Sequence, residues 1–80
     1  MAKRRVRFFF PPALITEPVV WGMGKQFDVV TNIRGGEIAG DSGWLYLEVT
    51  GEDDELDRAI QWAMEKGVRV DPVEGDIIAG

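Results

Sequence analysis

The chain holds no histidine and no cysteine, so its chemistry rests on carboxylates, cations, amides and hydroxyls. Three groupings of such residues stand out. Asn32, followed by Ile33 and the Gly35-Gly36 pair, joins an amide to backbone that another group can approach closely. Arg5, Arg7, Phe9, Trp44 and Tyr46 combine aromatic rings with guanidinium groups, a composition enriched in interface cores. Glu52, Asp53, Asp54, Glu55 and Asp57 crowd one short stretch. Their spacing lacks the Asp-x-Asp-x-Asp-Gly order of a calcium loop, so they read as the solvated start of a helix and no metal site is assigned. No nucleophile, base and orienting group can be assembled from this set. The chain therefore reads as a binding module, not an enzyme, and calls for no cofactor.

The elements that must position these groups follow from periodicity. From Arg4 to Phe10 the side chains alternate, with Val6, Phe8 and Phe10 on one face and Arg5, Arg7 and Phe9 on the other, until Pro11-Pro12 ends the strand. Thr16 offers a helix cap and Pro18 a first turn, and Val19, Val20, Met23 and Phe27 share one helical face, with Trp21 off it. Val29, Thr31 and Ile33 alternate with Val30 and Asn32 in a second strand. Gly35-Gly36 marks a bulge, a bend or a close backbone approach, and Ile38 can extend the strand past it. After the Gly40-Asp41-Ser42-Gly43 turn, Leu45, Leu47 and Val49 face the core and Trp44, Tyr46 and Glu48 face away. Asp53 and Asp54 are candidate caps for a second helix. Leu56, Ala59, Ile60, Ala63 and Met64 form its stripe, and Gly67 ends it. Val68 and Val70 open a short last strand. Residues 76–80, with Ile77 and Ile78, read as a flexible tail or a cover for a sheet edge.

The order is βαββαβ. This predicts one α+β domain over residues 1–80, a ferredoxin-like sandwich with a four-stranded antiparallel sheet and two helices on one face. The central strands then carry Arg5, Arg7, Phe9, Trp44, Tyr46 and Glu48 on the uncovered face. A second copy or another protein covering that face is the expected outcome, with a homodimer favoured. Eighty residues with a net charge of −5 make a small acidic domain, which argues against a nucleic-acid binder. RNA recognition through the open face is a distant third reading, because no RNP1-type pattern is present. No apolar run reaches the roughly 18 residues of a membrane span, and the absence of Cys fits the cytoplasm.

The pattern Phe27-x-Val29, Asn32-Ile33, Ile38, Gly43-x-Leu45-x-Leu47-x-Val49-x-Gly51, closed by Ala59-Ile60-x-x-Ala63 and Gly67-Val68-x-Val70, resembles the NIL domain. That family is named for an Asn-Ile-Leu signature. Its members end the ATPases of methionine-import ABC transporters, accompany some ferredoxins and occur alone. The resemblance implies an ACT-like regulatory domain that pairs with its twin and binds an amino acid such as methionine. It places the signature amide at Asn32, with Ile33, Gly35, Gly36 and Ile38 near the ligand at a subunit boundary. Local backbone satisfaction is the competing role for Asn32. This chain has Arg34 at the third signature position, where the family has an aliphatic residue. The alternative function is a protein-interaction or dimerisation module that has lost the ligand.

Overall fold

Alternation builds the sheet, and its register decides what each face carries. The computed structural model describes residues 1–73. Strand β1 (Ala2–Phe10) leads through a 3-10 turn (Pro12–Leu14) to helix α1 (Val19–Gln26). Strands β2 (Val30–Ala39) and β3 (Ser42–Gly51) form a hairpin, followed by helix α2 (Asp53–Lys66) and strand β4 (Arg69–Pro72). All pairings are antiparallel and the order is β2-β3-β1-β4, the predicted ferredoxin-like sheet. The hairpin turns on Gly40 at φ 63°, the glycine-first arrangement that suits strand twist.

Val6 pairs with Leu47 and Phe8 with Leu45, so one face of the central strands is apolar. Against it lie Val19 and Met23 of α1 and Leu56, Ala59 and Ala63 of α2, all buried. Phe8, Met23, Leu47, Leu56 and Val49 are the largest fully buried side chains. Each is worth about 1.5–3 kcal/mol relative to exposure. Leu45 is half-buried at the rim of this core. Gly67, at φ 113°, closes α2 with its N–H on the carbonyls of Ala63 and Met64, as its position after Lys66 predicts.

Three local expectations are corrected. Thr16 does not cap α1. The helix begins after Pro18, which supplies no side-chain cap, because a residue before proline is pushed out of helical geometry and Glu17 is that residue. Neither Asp53 nor Asp54 caps α2. Glu52 occupies the cap position without a side-chain bond, while Asp54 accepts the Glu55 N–H at 2.9 Å. Their charges still face the positive end of the helix dipole. Met64 is 48% exposed, because the sheet-facing stripe of α2 is carried by Leu56, Ala59 and Ala63 and ends short of it. Ile77 and Ile78 lie outside the described residues.

Candidate functional site

Strand β2 forms an edge of the sheet, and a bulge divides it. Ile33 pairs with Leu47 and Gly35 with Tyr46, leaving Arg34 as the extra residue. The added residue restores the alternation beyond it. Gly36 and Ile38, opposite Leu45 and Gly43, therefore share the helix-side face with Ile33. Asn32, opposite Glu48, and Gly35 lie on the open face. The structure thus brings Ile33, Gly36 and Ile38 together on one side and Asn32 on the other, all on a single edge strand.

Gly36 is required here by packing. A β-carbon on it would lie 2.7 Å from the Trp44 carbonyl oxygen and 2.6 Å from Leu45 Cδ2, whereas one on Gly35 would meet nothing within 4 Å. The close approach predicted for this pair is made by the chain's own β3. Beside it, Val30, Ile33 and Ile38 stand 66%, 56% and 68% exposed. An edge strand carrying three exposed aliphatic side chains and unpaired backbone groups is a template for another strand. Val30 and Ile33 alternate in the sequence as interior strand residues do, so their exposure was legible only once β2 was placed at the edge.

The open face is built in rows. Phe9 lies opposite Trp44, Arg7 opposite Tyr46 and Arg5 opposite Glu48. All six are where the alternation puts them. The aromatics are nevertheless half-buried rather than bare. Arg69 from β4 stacks over Phe9 at 4.3 Å, and Arg7 lies 5.6 Å from the Trp44 ring. Cation–π contact keeps those rings partly dry within one chain.

Glu48 is the centre of this face and was singled out in the sequence only as an outward residue. It is 7% exposed although no helix covers it. Its carboxylate accepts from Arg5 Nε at 3.0 Å and from Arg34 at 3.1 Å, and Lys3 Nζ lies 3.9 Å away. The hydrogen bond from Arg5, joined by the charges of Lys3 and Arg34, holds Glu48 below the usual carboxylate range, and desolvation opposes the shift. Arg34, placed in a signature position meant for an apolar side chain, is accommodated by reaching this acid across the bulge.

A cavity of about 200 Å³ opens on the helix side, between the β1–α1 connection and the hairpin end. Phe10, Leu14, Ile15, Val20, Trp21 and Leu45 line it, together with Ile38. Its wall is apolar, suited to an aliphatic or thioether side chain. Of the residues expected at a ligand Ile38 lines it and Asn32 does not, while Trp44, expected at an interface, lines it as well. Leu14 and Ile15 come from a turn that periodicity cannot read, which is why sequence reasoning missed this wall.

The described residues contain no group of three acids placed to hold a metal, and no helix among them is long and apolar enough to cross a membrane. The NIL domain profile matches residues 4–72. A stretch of 58 residues is 38% identical to the methionine import ATP-binding protein MetN of Helicobacter hepaticus, covering 68% of this chain and 16% of that protein. The chain thus spans about one sixth of the length of that curated relative. Among solved structures, the C-terminal domain of an ABC transporter ATP-binding protein from Enterococcus faecalis superposes with a TM-score of 0.79. That likeness covers 90% of this chain and 84% of the other at 21% identity. The de novo designed protein Ferredog-Diesel shares the architecture at a TM-score of 0.51 and 13% identity, over 88% of this chain and 84% of its own.

Proposed function

Because the chain belongs to the NIL domain family, we propose that it is a non-catalytic regulatory module that binds an amino-acid ligand and works as a pair of copies joined through β2. The single observation that carries this reading is the β2 edge, where exposed Val30, Ile33 and Ile38 flank Asn32. Joining two such edges antiparallel would extend the four-stranded sheet to eight strands and cover the aliphatic side chains. It would also bring Asn32 and Val30 of both copies to a shared boundary on the open face. An amide offers both donors and acceptors to an amino acid's charged groups, and Val30, two residues away on the same face, offers apolar surface to its side chain. Methionine is the first ligand to try, since the relative in Helicobacter hepaticus is named for methionine import. An ATP-binding subunit works where ATP is, and the cytoplasm is the compartment proposed for this chain.

Two measurements test the proposal. Sedimentation at micromolar concentration is expected to give a dimer, and Val30→Lys, which places a charge on the edge, is expected to give a monomer. Thermal melts against the common amino acids are expected to show a ligand-dependent rise. A ligand at 100 times its dissociation constant adds about 2.7 kcal/mol. Asn32→Ala is expected to weaken that response roughly tenfold while the unliganded melt stays put, since each polar contact is worth about 1 kcal/mol. A wild-type monomer that no amino acid stabilises refutes the proposal. It would favour the second reading, in which the same edge receives a strand from a larger protein.

A further inference from the structure

Strand β2 is an edge whose side chains alternate regularly on either side of one extra residue, Arg34. With Arg34 set aside, Val30, Asn32, Gly35, Glu37 and Ala39 share the open face, and the residues between them share the helix side. In an antiparallel ladder, directly opposed residues point to the same face. Of the two-fold alignments of β2 with its own copy that satisfy this, one pairs the strand over its full length, Val30–Ala39. It puts Gly35 on the axis against its twin, and sets Val30 against Ala39, Asn32 against Glu37 and Ile33 against Gly36 of the second copy. The fit is complementary in size, because Ile33, more than half exposed, crosses a residue with no side chain. An axis at Ile33 opposes Val30 to the Glu37 carboxylate, and one at Gly36 leaves Val30 beyond the end of the ladder.

In the full-length pairing Asn32 has a carboxylate on each flank. Glu48, in its own chain, already accepts from Arg5 and Arg34. Glu37 is exposed, and among the described residues its side chain makes no hydrogen bond or ion pair. An amino acid carries an ammonium group that needs such an acceptor, and a carboxylate that suits the N–H groups of the Asn32 amide. We infer that two copies pair along the whole of β2 about an axis at Gly35, and that Glu37 of the second copy, opposite Asn32, receives the ammonium group of the ligand. The site is incomplete in one copy alone. The inference rests on the paired, amino-acid-binding reading above and names its register and the residue that the second copy supplies.

The chain has no cysteine, so a single thiol can report the register. Gly35→Cys adds a β-carbon that meets nothing within 4 Å. It is expected to oxidise to a covalent dimer, because opposed Cα atoms lie about 4.5–5.5 Å apart, within disulfide reach. Ile33→Cys is expected not to, since its two Cα atoms then stand about 8 Å apart. Sedimentation of both reduced variants establishes that they still pair. In calorimetric titration, L-methionine is expected to bind wild type roughly tenfold or more tightly than 4-(methylthio)butanoate, which lacks only the ammonium group. Glu37→Gln is expected to remove most of that difference and to leave the dimer intact. A dimer in which Gly35→Cys fails to link, or Ile33→Cys links as readily, overturns the register and leaves the broader reading standing. Wild-type dimer that binds both compounds equally or neither, or a preference that survives Glu37→Gln, overturns the role of Glu37. A wild-type monomer that binds neither compound removes the inference together with the reading beneath it.

Discussion

Alanine at Gly36 puts a methyl group into space that β3 already occupies. The added carbon would sit 2.6 Å from Leu45 Cδ2 and 2.7 Å from the Trp44 carbonyl oxygen. Leu45 is half-buried at the core rim, and its side chain can rotate. The Trp44 carbonyl belongs to the backbone of a central strand paired on both sides, so relief requires β2 to move away from β3. Such overpacking costs about 1–3 kcal/mol. Alanine also restricts the unfolded chain, which returns about 0.4–1 kcal/mol. The net expectation is a loss of about 1–2 kcal/mol, or roughly 4–16 °C in melting temperature for a domain of this size. Gly35→Ala is the matched control in the same bulge, because no atom lies within 4 Å of its added methyl group. It is expected to be neutral or slightly stabilising. Urea unfolding of both variants, with m-values compared to confirm an unchanged transition, measures the difference. Equal stability of the two would refute the close strand approach at Gly36 and the register drawn through the bulge.

A similar pair tests the helix contact. Gly24→Ala meets nothing within 4 Å and is expected to gain up to about 1 kcal/mol of helix propensity. Gly22→Ala places its methyl group 3.0 Å from Trp62, a ring also packed edge-on against Phe27, and is expected to gain less or to lose; equal gains would contradict that packing. Glu48 supplies a pH test. Its folded pKa is depressed from an ordinary 4.5, so the stability it contributes is fully present above that value and is lost as pH falls through the lower folded value. Melts of Glu48→Gln are expected to be less steep than wild type in that acid range and lower at neutral pH, where Lys3, Arg5 and Arg34 lose the attraction of the Glu48 charge. Parallel acid limbs for the two proteins would count against the cluster.

Alternation of side chains along Arg4–Phe10 and Trp44–Val49 was enough to determine the faces of the central strands, because a strand repeats every two residues and a slip would invert every position. The helix after Asp53, its end at Gly67 and the βαββαβ order were legible for a similar reason: propensity, capping and period act between near neighbours in sequence. The candidate residues on β2 were marked out too, by a short signature. Their division between two sides was not, since it depends on the bulge at Arg34, which appears only when β2 is paired residue by residue with β3. Burial of Glu48 was likewise out of reach, because its three cations come from β1 and β2 and local sequence does not encode their convergence. Exposure of Val30, Ile33 and Ile38 was decided by the place of β2 at the sheet edge, and the apolar cavity by the meeting of the β1–α1 turn with the distant hairpin. Sequence determined what could be decided between neighbours along the chain; tertiary structure decided the contacts that elements distant in sequence make with one another.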